Sequence, residues 1–159
     1  MENNNNNNNY NNKLNRNSFD IFNKNHKIFI EGHRGINKEK PENTKISFLK
    51  AIEYNLDSIE LDIWLSKDLI PVIFHGGLDG NLISDFDVDG LIINYDYEFL
   101  MGLKSKKHNE KIPKLEEIFQ ICKNKIFINI EIKFIRIGNK ISILLSLISI
   151  LIKILFLHN

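Results

Sequence analysis

Cysteine is almost absent: Cys122 is the one thiol in 159 residues. An internal disulfide and a cysteine-based zinc site are therefore excluded, and Cys122 reads as a buried apolar filler or the mark of a reducing compartment. The chain also lacks an excess of charge of either sign. Its 21 Lys and Arg against 20 Asp and Glu leave a net charge of +1, with no basic patch of the kind that makes nucleic acid a main partner. No apolar run lies near the N-terminus, so no cleaved secretory signal is recognisable and the expected location is cytoplasmic or membrane-associated. Its length fits one domain.

Apolar residues are scarce at the start. Residues 1–25 are rich in asparagine, including an unbroken run at 3–9, and cannot bury enough surface to offset their ordering entropy. A disordered tail is predicted there, with an aggregation-prone interaction tract as the alternative. Residues 26–135 form the predicted domain and residues 136–159 an apolar C-terminal segment.

Within the domain, residues 28–35 read I-F-I-E-G-H-R-G: a short extended run opening into a turn. Glycines on both sides leave His33 and Arg34 free to reach a ligand. Thr44 is a suitable N-cap, and Ile46, Phe48, Leu49, Ala51 and Ile52 recur at helical spacing over residues 45–54. Strand spacing follows at 58–65, where Ile59, Leu61 and Ile63 alternate with Glu60 and Asp62. Residues 70–75 form a third strand ending on His75. After a polar, glycine-rich connection at 76–90, a short helix is expected at 97–103. Residues 114–123 form a clearer one after Pro113, with Glu116 and Glu117 in its first turn. A last strand at 125–134 sets Ile128, Ile130 and Ile132 against Asn129, Glu131 and Lys133. This order predicts an α/β fold, a partial TIM-type β/α barrel with parallel strands, truncated after about half the barrel, whose strand ends and loops converge on one site.

Glu60 and Asp62 lie two apart on one strand, so both carboxylates share a face about 7 Å apart. Two readings stand: the wet face of a two-sided strand, or ligands that a cation holds together. Glu131 repeats the pattern on a neighbouring strand, and buried parallel strands seldom carry charge without cause. Three carboxylates can hold a hard divalent ion with positions open to water and substrate oxygen. Arg34 and Lys133 then supply positive charge for a phosphate, and His33 and His75 form an acid and base pair. Either histidine alone is more often structural.

H-R-G at 33–35, P-E-N-T at 41–44, I-E-L-D at 59–62, P-V-I-F-H at 71–75, I-P-K-L-E-E at 112–117 and N-I-E-I-K at 129–133 follow one another in an order that resembles the glycerophosphodiester phosphodiesterase family. The resemblance implies a β/α barrel that uses a divalent cation, Ca2+ or Mg2+, to hydrolyse glycerophosphodiesters to glycerol 3-phosphate and an alcohol. Residue by residue, it implies His33 and His75 as acid and base, Glu60, Asp62 and Glu131 as metal ligands, and Arg34 with Lys133 near the phosphate. Glu42 and Asn43 are expected to shape the site. The sequence departs from the family at Gly76, where Asp is usual, and the motif resemblance stops at Phe134. Two rival readings follow: a non-catalytic fragment, and a phospholipase of related barrel design.

Residues 141–157 are apolar apart from serines and Lys153. Three readings compete: a membrane helix at the short limit for a span, a helix covering the open edge of the partial barrel, or sequence from a truncated or misread gene. Asp85, Asp87, Asp89 and Gly90 match the start of a calcium-binding EF-hand loop, with Ile92 and Asp96 at later positions of the pattern. The glycines at 76, 77 and 80 break the helix that motif needs, so an acidic, solvated connection is expected instead.

Overall fold

The computed structural model describes residues 28–77 and 79–133. The asparagine-rich tail and the apolar segment at 141–157 lie outside the described residues. Among the described residues no helix is long and apolar enough to cross a membrane.

Strand β1 is Glu31–Gly32, helix α1 is Lys45–Glu53 and strand β2 is Ser58–Leu65. They are followed by β3 at Pro71–Ile73, a single 3-10 turn at Ile92–Asn94, helices α2 at Tyr97–Gly102 and α3 at Leu115–Cys122, and β4 at Phe127–Ile132. The sheet is built around β2, in which all eight residues are buried. Ser58 pairs with Glu31 on one side and Phe127 on the other, and Ile63 pairs with both Ile73 and Ile132. β1 and β3 therefore lie on one side of β2, at its two ends, with β4 along the other.

The alternation of β2 creates two different faces. Ile59, Leu61, Ile63 and Leu65 enter a core with Phe48 and Ala51 of α1 and Leu115, Ile118 and Cys122 of α3. Each such aliphatic side chain contributes roughly 1.5–3 kcal/mol on full burial. On the opposite face stand Glu60, Asp62 and Trp64, and Trp64 joins a second core with Val72, Phe74, Leu82, Phe86, Ile92, Leu100 and Ile112. The carboxylates are thus held on a strand covered from both sides.

One expectation fails. β3 runs antiparallel to β2, so the sheet is mixed and the strands are not all parallel. The reason is the length of the connection: residues 66–70 reverse the chain in a tight turn closed by Leu69 N–H to Ser66 O at 3.0 Å and Ser66 N–H to Ile70 O at 3.0 Å. A parallel crossover needs a dozen or more residues. β1–β2 and β2–β4 are parallel, and α1 and α3 supply their crossovers.

Helix α1 begins where predicted, with Thr44 Oγ1 accepting Ser47 N–H at 3.3 Å. Its buried residues are Ser47, Phe48 and Ala51, while Ile46 and Leu49, expected on the apolar face, are exposed. Apolar positions here cover more than one face of the helix, and only the side toward β2 and α3 is packed. Residues 28–30, expected as a short extended run, are likewise exposed, with Ile28 at 74%. β1 pairs only with β2 among the described residues, which leaves that edge uncovered.

Candidate active site

The H-R-G turn places the first groups. Gly35 N–H bonds Gly32 O at 3.1 Å, and Arg34 O accepts both Asn43 N–H at 3.1 Å and Ser47 Oγ–H at 3.2 Å. Gly35 sits at φ +82°, and a Cβ there would lie 2.9 Å from the Cβ of Ser47. Glycine lets the turn close directly onto α1. Arg34, at φ +55°, aims its own backbone N–H at Glu60 Oε2, 3.0 Å away.

β2 and β4 then place the acids. In their parallel register Asp62 faces Glu131. The carboxylates of Glu60, Asp62 and Glu131 each offer an oxygen within 4.8 Å of the others. That is the spread a single hard cation tolerates, since two oxygens bound across one calcium lie up to about 5 Å apart. Asp62 is fully buried and Glu60 nearly so, while Glu131 is exposed.

Cationic side chains share this cluster. Arg34 Nε lies 3.1 Å from Asp62 Oδ2, and Arg34 Nη1 donates to both oxygens of Glu42 at 3.1 and 3.0 Å. Lys133 Nζ lies 3.0 Å from Asp62 Oδ1 and also donates to Glu131 Oε1. Asp62 is braced further by Asn43, whose Nδ2–H donates to Asp62 Oδ2 at 2.8 Å. Two cations against the carboxylates of Glu42, Glu60, Asp62 and Glu131 leave the group short of positive charge.

The proton affinities follow from these contacts. Burial pushes the Glu60 carboxyl above its ordinary value, the Arg34 N–H opposes the rise, and the charge of Asp62 adds to it. For Asp62 burial acts in the same sense but loses. The Asn43 hydrogen bond, with Lys133 and Arg34, holds it below the ordinary carboxylate value. Burial would lower Lys133, yet its bonds to Glu131 and Asp62 raise it. Glu60 Oε1 is buried without a hydrogen-bond partner. A buried carboxylate oxygen in that condition costs stability unless something positive meets it. The donor set, all oxygen with residual negative charge, suits a hard divalent cation.

The two histidines stand at the border of this group. His33 Nε2 is 3.9 Å from Glu60 Oε2, and its Nδ1 is 3.3 Å from Asn37 Nδ2. His75 Nδ1 is 3.9 Å from Glu42 Oε1, and Trp64 Nε1–H bonds His75 O at 3.1 Å. Both histidines and all five charged residues singled out from the sequence therefore lie around the face of β2 that carries Glu60 and Asp62. Asn37 and Trp64 were not anticipated, because an amide in a loop and a tryptophan on a strand carry no chemical signature of their own. Arg34, expected to be available to a phosphate, is engaged here by Glu42 and Asp62.

Gly76 has a local reason. It sits at φ +61°, and a Cβ there would lie 2.7 Å from both Gly80 Cα and the Phe74 ring. Nothing in the EF-hand-like stretch gathers its acids: among the described residues the one group of acids close enough to share an ion is Glu60, Asp62 and Glu131.

The carboxylate cluster, with two cations and two histidines around it, is carried by a partial β/α barrel fold. The glycerophosphoryl diester phosphodiesterase family profile matches residues 33–143, nine positions beyond Phe134. A glycerophosphodiester phosphodiesterase from Caldanaerobacter subterraneus is 35% identical over 114 residues, 67% of this chain and 46% of that protein. One from Bacillus altitudinis is 37% identical over 115 residues, 67% and 45% of the two chains. Among solved structures, a phosphodiesterase from Oleispira antarctica in complex with the product sn-glycerol-3-phosphate superposes with a TM-score of 0.70 at 30% identity, covering 82% of this chain and 53% of that one. The Thermotoga maritima glycerophosphodiester phosphodiesterase gives 0.62 at 32%, covering 79% and 50%. The chain belongs to the glycerophosphodiester phosphodiesterase family, and it spans about half the length of the curated relatives it matches.

Proposed function

We propose that this chain carries a metal-dependent phosphodiesterase site that hydrolyses glycerophosphodiesters to glycerol 3-phosphate and an alcohol. The observation that carries the reading is the convergence of Glu60, Asp62 and Glu131, each with an oxygen within 4.8 Å of the others, together with a buried Glu60 Oε1 that has no hydrogen-bond partner. These three residues would hold the divalent ion. When bound, the ion supplies charge neutralisation at a phosphoryl oxygen. Arg34 and Lys133 bring further positive charge to the phosphate. His33 and His75 carry the protons, one imidazole accepting from the attacking hydroxyl and the other donating to the leaving oxygen. The related Oleispira antarctica protein holds sn-glycerol-3-phosphate, which supports this substrate class.

The experiment is hydrolysis of glycerophosphocholine by the full chain with calcium or magnesium, followed as released glycerol 3-phosphate. His33→Ala and Glu60→Gln are expected to remove the activity. Undiminished turnover in His33→Ala would sink the mechanism.

A second reading has its own observation. The outer edge of β4 has no strand partner among the described residues, and Ile28, Phe29 and Ile30 are exposed. A non-catalytic fragment retaining the family's motifs would look the same, and a site needs a rigid surrounding shell to work. Absence of turnover together with intact folding by circular dichroism would favour it.

A further inference from the structure

We infer that Glu42 is a positioning residue for His75, holding its imidazole with the proton on Nδ1 so that Nε2 presents a lone pair to the reacting oxygens. This rests on the reading of His75 as a proton-transfer group. Three contacts carry it. Glu42 Oε1 stands 3.9 Å from His75 Nδ1, within ion-pair reach. Glu42 is itself fixed, because both of its oxygens accept from Arg34 Nη1, at 3.1 and 3.0 Å. The backbone of His75 is fixed from the other side by Trp64 Nε1–H donating to its carbonyl at 3.1 Å. The His75 backbone and the Glu42 carboxylate are thus both anchored, with Nδ1 the ring nitrogen set toward the carboxylate.

A carboxylate is an acceptor only, so a neutral imidazole beside it keeps its proton on the nearer nitrogen. Nδ1–H then faces Glu42, and Nε2, which has no partner among the described residues, is left as the basic atom. The step balances simply. A proton leaves the attacking hydroxyl for Nε2 as its oxygen bonds to phosphorus, and the resulting imidazolium stays paired with the Glu42 carboxylate. The P–O bond to the leaving alcohol breaks with its oxygen taking a proton from His33. His75 also lines a cavity of about 510 Å³ with Glu42 and Asn43. His33 has its own neighbours: its Nδ1 meets the Asn37 amide at 3.3 Å and its Nε2 lies 3.9 Å from Glu60 Oε2.

The test is the tautomer of His75 in the full-length, 15N-labelled chain, read from the nitrogen shifts of the neutral ring with His33 as internal reference. Wild type is expected to show protonated Nδ1. In Glu42→Ala the ring reverts to the Nε2–H form preferred by a free imidazole, and in Glu42→Gln the amide oxygen preserves Nδ1–H. Glu42 is exposed, so neither change touches the core. An Nε2–H tautomer in wild type, or no change in Glu42→Ala, overturns the inference. The readout needs no turnover: a chain that hydrolyses diesters yet shows Nε2–H sinks only the positioning role. A chain with Nδ1–H protonated and no hydrolysis supports the positioning role and sinks the catalytic reading instead.

Discussion

Asn43 and Asp62 bond each other in both directions: Asn43 Nδ2–H donates to Asp62 Oδ2 at 2.8 Å, and Asp62 N–H donates to Asn43 Oδ1 at 3.3 Å. Both residues are buried, and Asn43 holds a left-handed backbone at φ +56°, a conformation asparagine tolerates better than most residues. The loop before α1 is thereby fastened to β2 at the carboxylate on which Arg34 and Lys133 converge. Asn43→Ala strips Asp62 of this donor and leaves a backbone N–H unpaired, at a cost of about 2 kcal/mol. Asn43→Gly relieves the backbone but loses the same bonds, so it recovers only part of the loss. Urea denaturation midpoints of the three proteins check this, and equal midpoints would mean that the brace is idle.

An ion bound by Glu60, Asp62 and Glu131 must stabilise the folded chain by mass action. At a hundredfold excess over its dissociation constant the gain is about 2.7 kcal/mol, and the melting temperature rises on the order of 10 °C. Glu60→Gln is expected to abolish the response. The comparison is made within each protein, so a difference in ion-free stability between the two does not affect it. Differential scanning fluorimetry of both proteins with calcium, magnesium and chelator reads the response. A variant that keeps the wild-type rise would place the ion elsewhere.

The carboxylates were legible in the sequence because a strand's two-residue period fixes which side chains share a face, and β2 and β4 carry Glu60, Asp62 and Glu131 between isoleucines. The mixed sheet was legible too in principle, since five residues between β2 and β3 cannot make a parallel crossover. It was missed because strand order was read from apolar pattern alone. What the pattern could not carry was tertiary: that Ile28, Ile46 and Leu49 stay exposed depends on which neighbours lie beside them. Likewise, nothing local to Trp64 or Asn37 indicates that one holds the His75 backbone and the other meets the His33 ring.

Restoring aspartate after the second histidine is expected to harm this chain. Gly76 sits at φ +61° with its carbonyl accepting from Gly80 N–H at 2.8 Å and Asn81 N–H at 3.1 Å. A Cβ would press on the Gly80 backbone, so the turn has to open and its hydrogen bonds weaken. Gly76→Asp is predicted to lose on the order of 2 kcal/mol. Thermal denaturation measures it, and a variant as stable as wild type would show that the turn accommodates a side chain without strain.

Asp68 links the turn after β2 to the start of α2, and its effect depends on pH. Its Oδ1 accepts from Ser66 Oγ–H at 2.5 Å and from Tyr97 N–H, the first residue of α2, at 2.9 Å. The Ser66 bond, opposed by slight desolvation and aided by the Tyr97 N–H, holds the carboxyl below its ordinary value. A depressed folded value means that the unfolded chain takes up the proton first. The contribution is therefore complete above the ordinary aspartate range and disappears as pH falls through the folded value. Asp68→Asn keeps an acceptor oxygen without the charge, so its stability should lack this component of the acid dependence. Urea midpoints of the two proteins, taken from neutral pH into the acid range, should differ most at neutral pH and converge as the carboxyl protonates. Parallel curves would mean that Asp68 titrates alike in the folded and unfolded chains, and the cap would have to act through geometry alone.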